Sequence, residues 1–443
     1  MYRRTLALFF LLATASKASA ATTECYGDKS DIYDGFDRLA ASEPGLVERF
    51  LLGASVDGQP IYAWRVARRS NNELFGNDSG ILVMTGGVHG DEPRPPETLY
   101  RFAWLLVNNS ERDPLITWIV DTTEIWFVPI VNPDGFDIGW RLNRLDHDIA
   151  RNFPYAWDIN ERNAGPWAAS EPETQALRQL LDQVAPIRDG DWVSPNQRGL
   201  YIDVHGSISA TFHAYSSTTA VPHCELPWIN SHFARLNDTR ALPNAHMDRA
   251  SQCELPDPYF GSPVDYAYGG RGIPAFTFEL RSETIACTTQ PTDRFRDCER
   301  EAAALYEENI EAWLLAAQLS AFPYIRADGA FYQAGSIRMT RGRVEARFAT
   351  FDTRAEHPPS GCDHRREEIV SASLTIYDRS SSGTWAPRFG CVNHPMVAKD
   401  GAFDSGDEVA IGYLPTSCAA PGGYVVLQAR TKNYFGPEAV FTR

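Results

Sequence analysis

Lysine is scarce in this chain, and long apolar runs and C-x-x-C cysteine pairs are absent from it. Only 4 of the 41 basic residues are lysines, which we interpret as genome composition rather than function. Acidic residues number 57, and the resulting net charge of −16 argues against a protein that binds nucleic acid by neutralising its backbone. Beyond the N-terminus, no apolar run approaches the roughly 20 residues that a membrane-spanning helix needs.

The composition is that of a globular protein. The 443 residues are 43% hydrophobic and 22% charged, which disfavours both a disordered chain and a polytopic membrane protein. This length suffices for one large domain with a smaller one, or for two domains of ordinary size.

The N-terminus has the pattern of a secretory signal peptide. Arg3 and Arg4 precede an apolar run from about Leu6 to Ala15, and small residues follow up to Ala20. A membrane anchor is the alternative, but the run is too short to span a bilayer. We therefore expect cleavage after about Ala20 and a protein that is exported to the periplasm or secreted. Removal of three basic residues deepens the net charge to −19.

All eight cysteines follow the expected cleavage site, and export would permit disulfide bonds among them. Their even number is consistent with complete pairing, although eight cysteines allow 105 connectivities. Proximity in the sequence favours Cys287 with Cys298, and Cys224 with Cys253.

Short apolar strands alternate with amphipathic helices over the first 320 residues. The sequence predicts strands over 61–66, 81–84, 124–131, 200–204 and 275–280, and helices over 34–52, 93–106, 173–184 and 296–319. Such alternation predicts an α/β fold, with a mixed, mainly parallel twisted sheet covered by helices on both faces.

Beyond Phe322 the pattern changes to short β-type runs separated by Gly, Pro, Ser and Asp. This change predicts a small all-β, sandwich-like domain. We therefore expect a signal peptide over residues 1–20, a catalytic domain over 21–322 and an accessory β domain over 323–443.

Three candidate metal ligands follow two of the predicted strands. His89 and Glu92 lie in a glycine-rich loop after the strand at 81–84, and His205 directly follows the strand at 200–204. Two histidines and one glutamate at the ends of parallel strands can hold a zinc ion with one coordination position open. An open position indicates a catalytic site. A second His-x-x-Glu match, His364 to Glu367, lies in a highly charged run and is interpreted as solvated surface.

Glu279 is a single acid in the otherwise apolar strand at 275–280. A buried carboxylate is unfavourable unless it has a partner or a chemical role. Burial would raise its pKa towards neutrality, which suits a residue that takes a proton from water and returns it. An ion pair with Arg281 is the alternative interpretation.

Seven segments, taken together and in this order, resemble the zinc metallocarboxypeptidases of the M14 family over roughly residues 30 to 320. They are HGDE at 89–92, NPDGF at 132–136, WRLN at 140–143, DIARNFP at 148–154, SEPET at 170–174, DVHGS at 203–207 and FTFELR at 276–281.

The resemblance implies a role for each matching residue. It implies that one Zn²⁺ per chain is bound by His89, Glu92 and His205, and that Glu279 is the general base and acid. It also assigns stabilisation of the oxyanion to Arg141, binding of the substrate's terminal carboxylate to Arg151, and orientation of the first zinc histidine to Asp148.

Two features of the sequence depart from the family pattern. Ala150 replaces the asparagine that usually precedes the carboxylate-binding arginine. Tyr259 is the nearest candidate for the tyrosine that caps the substrate, although its flanking residues do not match. Val264 falls where the side-chain pocket is lined, which favours a neutral pocket.

These patterns together predict an exported zinc metallocarboxypeptidase. We expect it to hydrolyse the C-terminal bond of peptides with a free carboxylate, and to be a monomer with no nucleic-acid partner and no membrane span. A hydrolase of murein stem peptides, an amino-acid deacylase of the same superfamily and a non-catalytic binding module are the alternatives.

Overall fold

The structure of the chain is a computed structural model, and it describes most of the predicted catalytic region and much of the predicted β region. The described residues are 28–68, 80–184, 199–206, 210–213, 230, 233, 240–242, 260–280, 298–320, 330–332, 338–340, 342–350, 369–379, 385–404, 407–415, 417–418, 424–431 and 439–442.

Within these residues, the first sheet has eight strands in the order β1-β2-β4-β3-β5-β8-β6-β7. The strands are β1 Val47–Ala54, β2 Pro60–Val66, β3 Gly80–Thr85, β4 Thr123–Val128, β5 Leu200–Gly206, β6 Ala210–His213, β7 Arg240–Leu242 and β8 Ala275–Leu280. The four central strands, β4, β3, β5 and β8, are parallel, whereas β1 and β2 join antiparallel at one side. The predicted mixed, mainly parallel sheet is confirmed.

The strand register decides which residues meet at the edge of the sheet. Thr85, the last residue of β3, lies beside Asp203 of β5, and His205 of β5 lies beside Glu279 of β8. Because parallel strands end at the same edge, the loop after β3 reaches the end of β5.

Six helices of six or more residues accompany this sheet in the described part of the chain. They are α1 Lys29–Ser42, α2 Arg94–Asn109, α3 Pro114–Thr122, α4 Pro133–Ile138, α5 Pro172–Val184 and α6 Cys298–Ser320. In α2, Leu99, Phe102 and Leu106 are buried in the main core, as their helical spacing predicts. The helices predicted near 93–106, 173–184 and 296–319 are confirmed.

The prediction of one helix over 34–52 is wrong beyond residue 42. Helix α1 ends at Ser42, and Val47–Ala54 forms β1, which pairs antiparallel with β2. Pro44 and Gly45 interrupt the helix, and the following residues gain backbone partners in the sheet. Helix α3 was not expected from the sequence. It begins at Pro114, where the Asp113 side chain accepts hydrogen bonds from two backbone N–H groups.

The β region after residue 322 forms a separate antiparallel sheet. Its strands are β9 Ala330–Tyr332, β10 Arg338–Thr340, β11 Arg343–Thr350, β12 Ile369–Arg379, β13 Trp385–Pro387, β14 His394–Ala398, β15 Asp407–Tyr413, β16 Tyr424–Thr431 and β17 Ala439–Thr442. Its own core includes Phe348, Leu374 and Leu427. The predicted all-β region is therefore confirmed, and the domain limits at residues 20 and 322 remain predictions.

Among the described residues of this β region, two cysteines form a disulfide. It joins Cys391 to Cys418, and both residues are buried. The two pairings expected from proximity remain predictions, because Cys224, Cys253 and Cys287 lie outside the described residues. Among the described helices, none is both long enough and apolar enough to cross a membrane.

Candidate metal centre

The loop after β3 is fixed by the segments that follow β4. The N–H groups of Val131 and Asn132 donate to the carbonyls of Gly86 and Gly87, and Gly90 N donates to the carbonyl of Arg141. A Cβ at Gly90 would lie 2.1 Å from the carbonyl carbon of Gly135, so only glycine permits this close approach. The HGDE and NPDGF segments are therefore packed directly against each other.

His89, Glu92 and His205 converge as the sequence predicts. Glu92 Oε1 is 2.8 Å from His89 Nδ1, and Glu92 Oε2 is 3.1 Å from His205 Nδ1. The two Nδ1 atoms are 3.1 Å apart, and all three potential ligand atoms lie within 4.8 Å of one another. Glu92 is also fixed by the Gly206 N–H, which donates to its Oε2.

The outer nitrogen of each histidine meets a buried carboxylate. His89 Nε2 is 3.2 Å from Asp148 Oδ1, and His205 Nε2 is 2.9 Å from Asp203 Oδ2. The orienting role expected for Asp148 remains a prediction. A carboxylate in this position fixes the ring and leaves the other nitrogen free to bind a metal. Asp203 is not among the site residues that the sequence predicts. Its position next to His205 follows from strand geometry, because residues 203 and 205 of one strand face the same side.

The electrostatics of this cluster favour a cation. Burial alone would raise the pKa of Glu92, but His89 and His205 hold it well below its usual value. Burial also disfavours a charged His205, yet Asp203 and Glu92 raise its pKa well above the usual range. The two imidazoles and the carboxylate are ligand types that zinc accepts, so the residues fit a zinc ion with a position left open.

Glu279 lies beside His205 in the parallel register of β5 and β8, and it is partly buried. Burial raises the pKa of its carboxyl to about 7, against the opposing influence of His205. A carboxyl with a pKa in this range can both take and return a proton near neutrality.

Arg141 joins the same site, as expected. Its Nη2 is 3.3 Å from Asp148 Oδ2, and its Nη1 is 3.7 Å from Glu92 Oε1. Burial opposes the charge of the guanidinium, but the surrounding carboxylates, led by Asp148 and Glu92, raise its pKa. About two fifths of the Arg141 side chain is exposed to solvent.

Arg151 lies at the end of the short 3₁₀ turn Ile149–Arg151, which Asp148 caps by accepting from the Ala150 N–H. The Arg151 Nη1 donates to the carbonyl of Ala150, and its Nε is 3.9 Å from Glu161 Oε1. Burial opposes the charge of Asp148, but His89 and then Arg151 hold the pKa of its carboxyl well below the usual value. Arg151 therefore lies close enough to Asp148 for their charges to interact.

The two expected pocket residues have different outcomes. Val264 lies in the short helical turn Pro263–Asp265 and is buried in the main core, so contact with a substrate remains a prediction. Tyr259 and the second His-x-x-Glu match at 364–367 lie outside the described residues.

A second cluster of possible ligands occurs in the described part of the β region, where His394 lies near Cys391 and Cys418. Both sulfur atoms are joined in the disulfide. This cluster therefore lacks the thiolates that a metal would need.

We expect Glu92→Gln to weaken zinc binding at least 100-fold, because the variant loses the only anionic ligand of the three. Equilibrium competition with a chromophoric chelator, combined with metal analysis, measures this change. Asp91→Asn is the matched control, since it removes the adjacent carboxylate but no ligand, and it should bind zinc within a few-fold of the unchanged protein. Equal losses in both variants would contradict the ligand assignment.

Comparison with known proteins agrees with this geometry. A family model described as "Zinc carboxypeptidase" (Peptidase_M14) matches residues 32–312. The chain is 26% identical to carboxypeptidase A2 of Rattus norvegicus over 285 residues, which are 58% of this chain and 63% of that protein. It is 30% identical to carboxypeptidase A1 of Bos taurus over 292 residues, which are 61% of this chain and 67% of that protein. The chain thus spans only about two thirds of these relatives.

A solved structure shows the same fold. The crystal structure of carboxypeptidase A from Helicoverpa armigera superposes with a TM-score of 0.52 at 20% identity, over 66% of this chain and 73% of that one. The family model covers more than half of the chain, and its range includes the three converging residues and Glu279. The chain therefore belongs to the zinc carboxypeptidase family.

Proposed function

We propose that the chain is an exported zinc-dependent metallocarboxypeptidase that removes the C-terminal residue of peptides. The observation that carries this proposal is the convergence of His89, Glu92 and His205 beside Glu279. One zinc ion per chain is expected there, because the cluster supplies three ligands at a single point. When bound, zinc supplies the Lewis acidity that activates water for attack on a carbonyl.

Glu279 is the proposed general base and acid. It takes a proton from the attacking water and later gives that proton to the amine that leaves. Its position beside His205 supports this role, and its carboxyl interacts electrostatically with His205, Glu92 and His89. Burial keeps its pKa near the range in which both transfers occur.

Arg141 is the proposed stabiliser of the negative charge that develops on the carbonyl oxygen. Its guanidinium lies beside Asp148 and Glu92, and its side chain is partly exposed to solvent. A donor that is already fixed needs little rearrangement when the charge appears. Asp148 therefore supports the site twice, through His89 and through Arg141.

Arg151 is the proposed binding site of the substrate's terminal carboxylate. A guanidinium can bind a carboxylate through two parallel hydrogen bonds. Ala150 lacks an amide side chain, so this role would rest more heavily on Arg151. Val264 supports a neutral side-chain pocket, and Tyr259 remains the candidate for the residue that caps the substrate.

Export is supported by two independent features. The first 20 residues have the pattern of a signal peptide, and Cys391 and Cys418 form a disulfide, which persists in oxidising compartments. An acidic exported enzyme with a local arginine site suits substrates that present a carboxylate.

We expect Glu279→Gln to bind zinc as the unchanged protein does and to lose at least 100-fold in kcat, because the amide cannot take the proton. Steady-state kinetics and metal analysis of the same preparation measure the two effects. Glu124→Gln, in strand β4 of the same sheet, is the control and should keep normal turnover. If Glu279→Gln kept more than about one tenth of the kcat of the unchanged protein, Glu279 would be excluded as the general base.

Peptides that differ only at their C-terminus test the reaction. A free carboxylate should be required, so an amidated peptide should be hydrolysed at least 100-fold more slowly. Arg151→Ala should lower kcat/KM for the free peptide about 10- to 100-fold, the loss expected for a charged hydrogen-bonded contact. The Arg151→Ala variant should also show a smaller difference in kcat/KM between the free and the amidated peptide.

The control for Arg151 is Arg144→Ala, because Arg144 is exposed and pairs with Asp57. This variant should discriminate between the peptides as the unchanged protein does. A murein stem peptide with a free carboxylate belongs in the same assay. Preferential cleavage of the stem peptide would support the murein alternative, and equal cleavage of amidated and free peptides would contradict a carboxypeptidase.

Protein that is produced with its own N-terminus in an exporting host should be recovered outside the cytoplasm. Its first residue should lie near residue 21, because the small residues before this point suit signal peptidase. Intact-mass and N-terminal analysis measure this. Retention of residues 1–20 on the exported protein would contradict cleavage.

A further inference from the structure

A line of three buried polar side chains leads from the interior of the sheet to His205. Tyr201 and Asp203 lie on the same side of β5 as His205, and Thr85 of β3 is the neighbour of Asp203 in the parallel register. The Tyr201 and Thr85 oxygens are 2.8 Å apart, and Thr85 Oγ1 is 2.6 Å from Asp203 Oδ1. All three residues are at most 1% exposed.

The order of donors in this line follows from the groups themselves. The Asp203 carboxylate can only accept hydrogen bonds, and Thr85 has a single hydroxyl proton. Thr85 donates that proton to Asp203, so the hydrogen bond between Thr85 and Tyr201 must have Tyr201 as its donor. Burial, reinforced by Asp203, raises the pKa of Tyr201 well above its usual value, so the hydroxyl retains its proton.

The same reasoning reaches the ring of His205. Asp203 Oδ1 receives the Thr85 hydroxyl, and Oδ2 faces His205 Nε2 at 2.9 Å. Because this oxygen can only accept, Nε2 must carry a proton. A histidine must be neutral to bind a metal, so the lone pair of the metal-binding ring is then on Nδ1, the atom that faces Glu92 and His89.

We propose that Tyr201, Thr85 and Asp203 are positioning residues that form a one-way hydrogen-bond relay, and that this relay selects the metal-binding tautomer of His205. The inference rests on the proposed function, since it assumes that His205 binds zinc through Nδ1. It adds Thr85 and Tyr201 to the functional residues. Both act on His205 through Asp203 rather than by contact with the metal or the substrate.

The relay differs from the support of His89. Asp148 meets His89, but it also lies beside Arg141 and caps a turn with its own oxygen. Among the described residues, the side-chain hydrogen bonds of Asp203 are those with Thr85 and His205. A hydroxyl that holds one oxygen of Asp203 therefore determines how the other oxygen is presented to the ring.

Thr85→Val tests the relay, because valine has nearly the shape of threonine but no hydroxyl. We expect its zinc dissociation constant to rise about 10-fold, within the range known for the loss of groups that orient metal ligands. Thr85→Ser retains the hydroxyl and should restore affinity to within about threefold. Chelator competition on the purified full chain measures both constants.

A structural control separates positioning from stability. Thr98 is also fully buried, and its hydroxyl donates to the carbonyl of Pro95 within α2. Thr98→Val should lower the urea midpoint of unfolding and leave the zinc dissociation constant unchanged. If Thr85→Val binds zinc as the unchanged protein does, or if Thr85→Ser loses as much affinity as Thr85→Val, the relay is refuted.

Two further measurements serve if Thr85→Val does not fold. In the zinc-loaded unchanged protein, nitrogen-15 NMR of histidine should show His205 with a proton on Nε2 and with Nδ1 bound to the metal. Tyr201→Phe should retain this pattern with a zinc affinity lowered a few-fold, because Thr85 loses its donor. Metal on Nε2 of His205 would overturn the inference.

These outcomes are distinct from failure of the proposed function. If the unchanged protein binds no zinc, or binds zinc and cleaves no peptide, the proposed function fails. If the unchanged protein binds zinc and cleaves peptides while the Thr85 and Tyr201 variants keep full affinity, only the relay fails.

Discussion

The site depends on one constraint, which is that two buried histidine rings must turn the same nitrogen towards a single point. Each ring can do so because a carboxylate holds its other nitrogen, Asp148 for His89 and Asp203 for His205. Without these acceptors, each ring could rotate or exchange its tautomer, and the ligand set would exist in several arrangements. The loops and strands around the site are built to keep these two carboxylates in place.

Burying so many acids in one place requires compensation, and the surrounding segments provide it. Asn143 donates to both Glu171 and Glu173, and the Val56 N–H donates to Glu173. Asn152 connects the segment that carries Asp148 to the SEPET segment. The SEPET segment has no proposed chemical role. Its hydrogen bonds instead help to fix the segments that carry Arg141 and Asp148.

Much of the fold was accessible from local patterns. The strand at 81–84 and the helix from Arg94 have strong apolar periodicity and clear proline or glycine limits, and both were confirmed. The helix expected over 34–52 failed beyond Ser42, because pairing with β2 overrode the local preference of the residues that form β1. A single acid in an apolar strand is a signal that predicts a role for Glu279, whereas Asp203 has no comparable local signal beside His205.

Residue identity and order were sufficient to predict the types of ligand and their placement at strand ends, and to indicate the family of the chain. Which atoms meet depends on the tertiary structure. The parallel register of β3, β5 and β8 brings Thr85 to Asp203 and Glu279 to His205 across more than 70 residues of chain in each case. Local spacing cannot specify such pairs, because they arise only when distant strands align in one sheet.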